Sequence, residues 1–153
     1  MTNNTSASPA DFTVDNPFTL PGFFAAMKDG ELVGARCLSC EAILIPPRPA
    51  CYACGSRELH SESLPKTGEV ISYTSVRRPP AAFESLAPIQ VAVVELDTGG
   101  RLLGQVDASY EDLQIGQRVR LEFLPPEGVP VNSDALLSYE RGWPFHVFIP
   151  IQK

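Results

Sequence analysis

The period of the apolar positions changes along the chain. Between residues 17 and 30, Leu20, Phe23, Phe24 and Met27 stand at i, i+3, i+4 and i+7, the spacing of one helix face. Pro21 suits a first helical turn, so the helix starts near Thr19 or Leu20, and Gly30 supplies its stop. The stripe serves packing on its own domain and docking on a partner equally well. A short strand over 31–36 then leads into Cys37. From residue 59 onward the texture becomes short strands between turns. Val70, Ile71, Tyr73 and Val76 predict a strand over 68–76, and the runs 89–96 and 101–106 flank Asp97-Thr98-Gly99-Gly100, a hairpin turn. One helical turn is expected at 110–115, closed by Gly116. Alternation at Val119, Leu121 and Phe123 predicts a strand over 118–124, and the apolar run 145–151 a last one. The fold class is therefore mainly β: an N-terminal helix, a cysteine-bearing segment, and five strands with a brief helix between the third and fourth. That order fits a five-stranded barrel of the OB type; other small barrels or an incomplete sandwich fit the same pattern.

Composition sharpens this picture. The 153 residues suffice for one ordinary domain or two small ones, and 15 Pro with 11 Gly call for many turns and few long helices. Residues 1–16 are polar, without Lys, Arg or an apolar run, so a mobile tail is expected and neither a secretory nor a mitochondrial signal is read there. No run approaches the roughly 20 apolar residues of a membrane span. A soluble protein without a membrane partner, located in the cytoplasm, is the expectation. Twelve Lys and Arg against eighteen Asp and Glu give a net charge of -6, which argues against a phosphate-neutralising surface.

The four cysteines carry the chemistry. Cys37-x-x-Cys40 and Cys51-x-x-Cys54 are two knuckles separated by a Pro-rich stretch, Pro46, Pro47 and Pro49. A two-residue gap lets both thiolates of a knuckle reach one ion, and two knuckles complete a closed tetrahedral site. Zinc is the default occupant, iron in a rubredoxin-like site is the rival, and disulfides come third in a reducing compartment. A site that uses all four thiols leaves no cysteine nucleophile. His60 and His146 are the candidate imidazole bases, and neither has a Ser or Asp nearby in sequence at a recognisable spacing.

These residues together resemble a known family. The order is Lys28-Asp29-Gly30-Glu31-Leu32, Gly34-x-Arg36-Cys37-x-x-Cys40, Pro46-Pro47-Arg48, and Cys51-x-x-Cys54-Gly55-Ser56. Gly68-Glu69-Val70-Ile71-Ser72-Tyr73-Thr74 follows, and later Asp112-Leu113-x-Ile115-Gly116-x-x-Val119. The chain closely resembles, over roughly residues 17–124, the acyl-CoA-associated proteins built from a rubredoxin-like zinc ribbon and an OB-fold. Glu41 stands where a glycine is usual, and Tyr52 where a proline is usual. The division expected on this basis is a tail at 1–16, a docking helix at 17–30, a zinc ribbon at 31–57 and an OB-fold barrel at 58–153.

The resemblance implies a non-catalytic small subunit of a thiolase-type complex, or of a related acyl-CoA hydratase or aldolase complex. The larger partner of such a hetero-oligomer carries the nucleophile and bases. The small subunit docks on it, and its barrel helps to form the acyl-CoA entrance. Phe23, Phe24, Tyr139, Trp143 and Phe145 are then candidate interface anchors, with ordinary core packing the alternative for each. CoA carries phosphates, which call for cations; Arg77 and Arg78 are the best local pair, Arg48 and Arg101 weaker ones. Two other functions compete: a single-stranded nucleic-acid binder, disfavoured by charge, and an electron carrier with iron in the ribbon.

Overall fold

The structure, a computed structural model, describes residues 16, 18–128, 133–135 and 142–152. Residues 1–15 of the expected tail, and Tyr139, lie outside the described residues.

The first helix, α1 (Leu20–Lys28), begins where the sequence places it: the Thr19 hydroxyl accepts the Gly22 N–H at 3.1 Å, with Pro21 in the first turn. It ends in a Schellman closure, in which Gly30 N–H donates to the Met27 carbonyl at 3.0 Å and Glu31 N–H to that of Ala26 at 2.9 Å. The four-residue apolar stripe divides. Phe23 and Met27, one turn apart, are 4% and 1% exposed, whereas Leu20 is 50% exposed and Phe24 half-buried. The helix covers β1 (Val33–Cys37) with the narrow Phe23–Met27 face.

β1 is the middle of a three-stranded antiparallel sheet, with β2 (Ile43–Leu44) on one side and β3 (Leu59–Ser63) on the other. β3 lies within the span expected to open the barrel, yet it pairs with β1 from Val33↔Ser63 to Cys37↔Leu59. Its alternation Leu-His-Ser-Glu-Ser suits any half-buried strand, and only the partner decides which sheet receives it. Arg36 of β1 grips Glu62 of β3 with Nε at 3.2 Å and Nη2 at 2.9 Å. One buried cluster of this part joins Phe18, Ala35, Cys37, Leu44, Cys51 and Leu59, and Phe23, Met27, Leu32 and Leu64 are buried as well.

The remaining strands are β4 (Thr67–Val76), β5 (Ile89–Leu96), β6 (Arg101–Val106), β7 (Arg118–Leu124) and β8 (Phe145–Pro150). They close into a barrel in the order β4-β5-β6-β8-β7. Closure comes from a parallel pairing of β6 with β8, Gln105↔Val147 and Val106↔Phe148, while β8 runs antiparallel to β7. The expected helical turn is a 3-10 turn, Tyr110–Asp112, between β6 and β7. This is the five-stranded barrel the sequence predicts. Alternate positions point inward: Val70, Val94, Val119 and Phe148 are fully buried. Outside the barrel, Arg118 binds Asp97 through Nη1 at 2.7 Å and Nη2 at 2.9 Å, and the Thr67 hydroxyl also donates to Asp97.

By packing, the chain forms two units. One holds the described residues up to Pro65 together with Thr98–Arg101, and the other holds Lys66–Asp97 and the described residues from Leu102 onward.

Candidate metal centre and ligand cavity

The four cysteine sulfurs lie within 4.8 Å of one another. Two matching turns bring them there. In the first, Cys37 N–H donates to the Ala42 carbonyl at 2.9 Å and Glu41 N–H to that of Cys37 at 2.9 Å. In the second, Cys51 N–H donates to the Ser56 carbonyl at 2.8 Å and Gly55 N–H to that of Cys51 at 2.9 Å. The turns are thus repeats of one design fourteen positions apart (37 to 51, 41 to 55). They are tied together by the hydroxyls of Ser39 and Ser56 at 2.9 Å and by Leu38 N–H donating to the Glu58 carbonyl at 2.9 Å.

The first cysteine of each knuckle is buried and the second exposed. Each buried sulfur lies 3.6 Å from an exposed one of the other knuckle, Cys37 from Cys54 and Cys51 from Cys40. Proton affinity follows the same division. Backbone N–H donation from Cys40 and Ser39 lowers the Cys37 thiol to about 6. At Cys40 the Ala42 N–H favours the thiolate, but burial and the Cys51, Cys54 and Cys37 sulfurs outweigh it and push the thiol up to about 12. Burial opposes ionisation of Cys51, yet the Cys54 and Ala53 N–H groups leave it lowered. At Cys54 the Ser56 N–H favours the thiolate, and the Cys37 sulfur, burial and Cys51 raise it nonetheless. Each close pair therefore sets a sulfur of lowered proton affinity against one of raised proton affinity. A dication at the centre displaces the thiol protons and relieves the repulsion between the sulfurs. Tetrahedral zinc at about 2.3 Å from each sulfur needs sulfurs about 3.8 Å apart. The donor set and its spacing fit such an ion. Leu38 and Tyr52, each directly after the first cysteine of a knuckle, are 64% and 68% exposed.

The candidate arginines separate. Arg48, Arg77, Arg78 and Arg101 are all exposed. Arg77 lines an open cavity of about 710 Å³ beside Thr74, Ser75, Gln90, Ser109 and Tyr110. Arg78, its neighbour, does not line it. Gln90, Ser109 and Tyr110 carry no sequence signal for this role, since they come from the start of β5 and from the 3-10 turn region. Tyr110 stacks edge-on against Tyr73, centroids 5.4 Å apart, and the Tyr73 hydroxyl donates to the Leu113 carbonyl at 3.0 Å.

Of the aromatic anchors, Phe23 is a correction: its ring is buried in its own unit by packing of the narrow helix face, and it is not available at the surface. Phe24 packs edge-on against it at 5.4 Å and stays half-buried. Phe145 is half-buried against Phe83 at 6.1 Å, and Trp143 is half-buried. Of the two imidazoles, His60 is exposed on β3, and His146 is half-buried on β8 with Nε2 2.8 Å from the Leu103 carbonyl. The carbonyl accepts from Nε2, so the lone pair of the neutral ring lies on Nδ1.

Residues 24–60 match the family described as the rubredoxin-like zinc ribbon domain of ChsH2, and residues 62–124 match its C-terminal OB-fold domain. A DUF35 domain-containing scaffold protein of Pyrococcus furiosus is 36% identical over 120 residues, 78% of this chain and 85% of that protein. A probable enoyl-CoA hydratase alpha subunit of Thermomonospora curvata is 38% identical over 131 residues, 82% of this chain but only 39% of that longer protein. Among solved structures, a chain of the Ltp2-ChsH2(DUF35) aldolase superposes with a TM-score of 0.63 at 34% identity, covering 84% of this chain and 91% of that one. With the four-sulfur knuckles and the closed five-stranded barrel already in place, these matches make the chain a member of the DUF35 scaffold family, built from a ChsH2-type zinc ribbon and OB-fold.

Proposed function

We propose that this chain is a non-catalytic subunit of a thiolase-type acyl-CoA complex in the cytoplasm. It docks on a catalytic subunit through its helix and ribbon, and its barrel helps to shape the acyl-CoA site. The observation that carries this reading is the match, over most of both chains, to a subunit of the Ltp2-ChsH2(DUF35) aldolase. The chemistry of the residues supports it. All four thiols gather at one site suited to a structural zinc, which takes them out of nucleophilic catalysis. Zinc there holds the ribbon shape by binding worth about 10–16 kcal/mol in small fingers. In the barrel, Arg77 and the hydroxyls around it offer a cation and hydrogen-bonding groups to a phosphorylated ligand.

The test is reconstitution. The chain is co-expressed with the thiolase-type subunit encoded nearest to it, and the complex is isolated by size. The expected result is co-elution, and acyl-CoA turnover that depends on both chains. A catalytic subunit fully active without this chain, and never co-eluting with it, would end the proposal.

A further inference from the structure

Two sulfur pairs of the cysteine cluster stand at 3.6 Å, and both run between the knuckles: Cys37 with Cys54, and Cys40 with Cys51. Each pair joins an exposed cysteine, Cys54 or Cys40, to a buried one, Cys37 or Cys51. Disulfide sulfurs lie about 2.05 Å apart, so each sulfur has less than about 1 Å to travel to close such a bond. The knuckles also face each other by means other than metal. The Ser39 and Ser56 hydroxyls bond at 2.9 Å, and Leu38 N–H donates to the Glu58 carbonyl at 2.9 Å. Beneath them β1 pairs with β3 from Val33↔Ser63 to Cys37↔Leu59. A loss of the ion would therefore leave the cross-knuckle sulfurs in register.

We propose that the four cysteines form a reversible oxidation site for hydrogen peroxide, in which Cys40 and Cys54 react first, Cys51 and Cys37 resolve them, and two cross-knuckle disulfides take the place of the zinc. The proposal concerns the chain's own thiols and holds whichever catalytic subunit the chain joins. In the zinc-loaded site all four sulfurs are thiolates, so access decides which one reacts first. The Cys40 thiolate attacks one peroxide oxygen and the O–O bond breaks. Cys40 becomes a sulfenic acid, and the other oxygen leaves as hydroxide and takes up a proton to form water. The Cys51 thiolate then attacks the Cys40 sulfur. The S–S bond forms, the S–O bond breaks, and a second hydroxide leaves and is protonated to water. Two thiolates, one peroxide and two protons thus give one disulfide and two waters, with two electrons passing from sulfur to oxygen. Cys54 and Cys37 repeat the sequence with a second peroxide. Neither disulfide offers the zinc a thiolate, so the ion dissociates. A resolving sulfur beside each reachable one halts oxidation at the disulfide, which a thiol reverses, before the irreversible sulfinic acid. The two links nest, Cys40–Cys51 inside Cys37–Cys54, and bridge the knuckles as the ion does. A disulfide within one knuckle would leave that bridge open.

The test is titration of the full zinc-loaded chain with hydrogen peroxide. A chromogenic chelator reads the released zinc, and non-reducing peptide mapping reads the links. Cleavage after Leu38, Glu41 and Tyr52 separates all four cysteines. Ligand variants lose the metal, so every readout is made on the unaltered sequence. One zinc should leave for about every two peroxides consumed. The links found should be Cys37–Cys54 and Cys40–Cys51, and a dione that traps sulfenic acids should label Cys40 and Cys54. Amide exchange should show β1 and β3 still protected in the oxidised chain, and a thiol reductant with added zinc should restore the metal content. Links within the knuckles, Cys37–Cys40 and Cys51–Cys54, would overturn the proposal. So would trapping at Cys37 or Cys51, sulfinic acid at Cys40 and Cys54 without a link, or zinc retained at peroxide levels that oxidise free cysteine.

Discussion

Glu41 and Gly55 hold the same position in two matching knuckles, each directly after the second cysteine, and both adopt a left-handed backbone, φ 65° and 76°. Gly55 does so without steric cost, but Glu41 has a Cβ that crowds the backbone there, at about 1–2 kcal/mol. Glu41→Gly removes that strain while adding unfolded-chain freedom worth about 0.4–1 kcal/mol. The expected balance is a ribbon more stable by roughly 0.5–1 kcal/mol. Gly55→Ala runs the same balance in reverse and should destabilise by roughly 0.5–1 kcal/mol. Unfolding midpoints of the zinc-loaded chain measure both, and a drop on Glu41→Gly would refute the strain argument.

Removing one ligand tests the metal centre. Cys40→Ser leaves three thiolates and should cost the chain its metal and the order of the ribbon. The barrel, with its own core of Val70, Val94, Val119 and Phe148, should remain folded. Metal content by mass spectrometry and amide exchange along the chain read the two effects separately. A colourless wild-type protein with one zinc per chain is expected; a red protein with visible absorption would instead indicate iron.

The barrel should weaken in mild acid because of His146. Burial lowers its pKa below the usual 6.5, against the opposing effect of the Leu103 carbonyl. The folded barrel thus refuses a proton that the unfolded chain accepts below 6.5. Stability is intact above that pH and falls as pH drops through the lowered folded value. His146→Gln, which can still donate to Leu103, should flatten the dependence below pH 6.5. The fit is tight on this side of the barrel: a Cβ on Gly104 would stand 2.8 Å from both His146 Cδ2 and Phe148 Cε2. An unchanged pH profile in His146→Gln would show that another group sets it.

Asp97 acts in a more acidic window. The Arg118 guanidinium, with the Thr67 hydroxyl, holds its carboxyl at about 2, below the ordinary 3.8. Its contribution is present above 3.8 and is lost as pH falls through about 2. The pair is partly exposed, so Asp97→Asn should cost no more than about 1 kcal/mol at neutral pH. The difference from wild type should shrink toward zero near pH 2, as followed by urea unfolding across that range.

In the assembled complex, replacing Arg77 and Arg78 together by alanine should raise KM for acyl-CoA several-fold and leave kcat little changed. Arg77→Ala alone should account for most of the rise, because only Arg77 lines the cavity. A KM that follows Arg78 instead would locate the phosphate elsewhere.

What the sequence makes legible follows from how local each signal is. The cysteine spacing specifies a four-sulfur cluster because both knuckles are short local turns. The alternation at Val119, Leu121 and Phe123 likewise marks a strand with one inward face. β2 is two residues long, Ile43–Leu44, and has no period to detect. β3 alternates, but its pairing with β1 depends on residues 26 positions away, as for Arg36 and Glu62. Helical spacing puts Phe23 and Phe24 on one broad stripe; only packing divides them into an inner and an outer ring. The Arg77 cavity collects side chains from residues 74–77, 87–90 and 109–111, which no spacing rule relates.

The parallel β6–β8 pairing also sets an order of events during synthesis. All four thiolates have left the ribosome by Cys54 and the last ribbon strand by Ser63, so the growing chain can capture its ion early. The barrel cannot close until Phe145–Pro150 has emerged to lie between β6 and β7. At about 5–20 residues per second, that leaves roughly one to five seconds after Leu124 in which β4 to β7 wait unsealed. A nascent chain is thus vulnerable to aggregation through its later half.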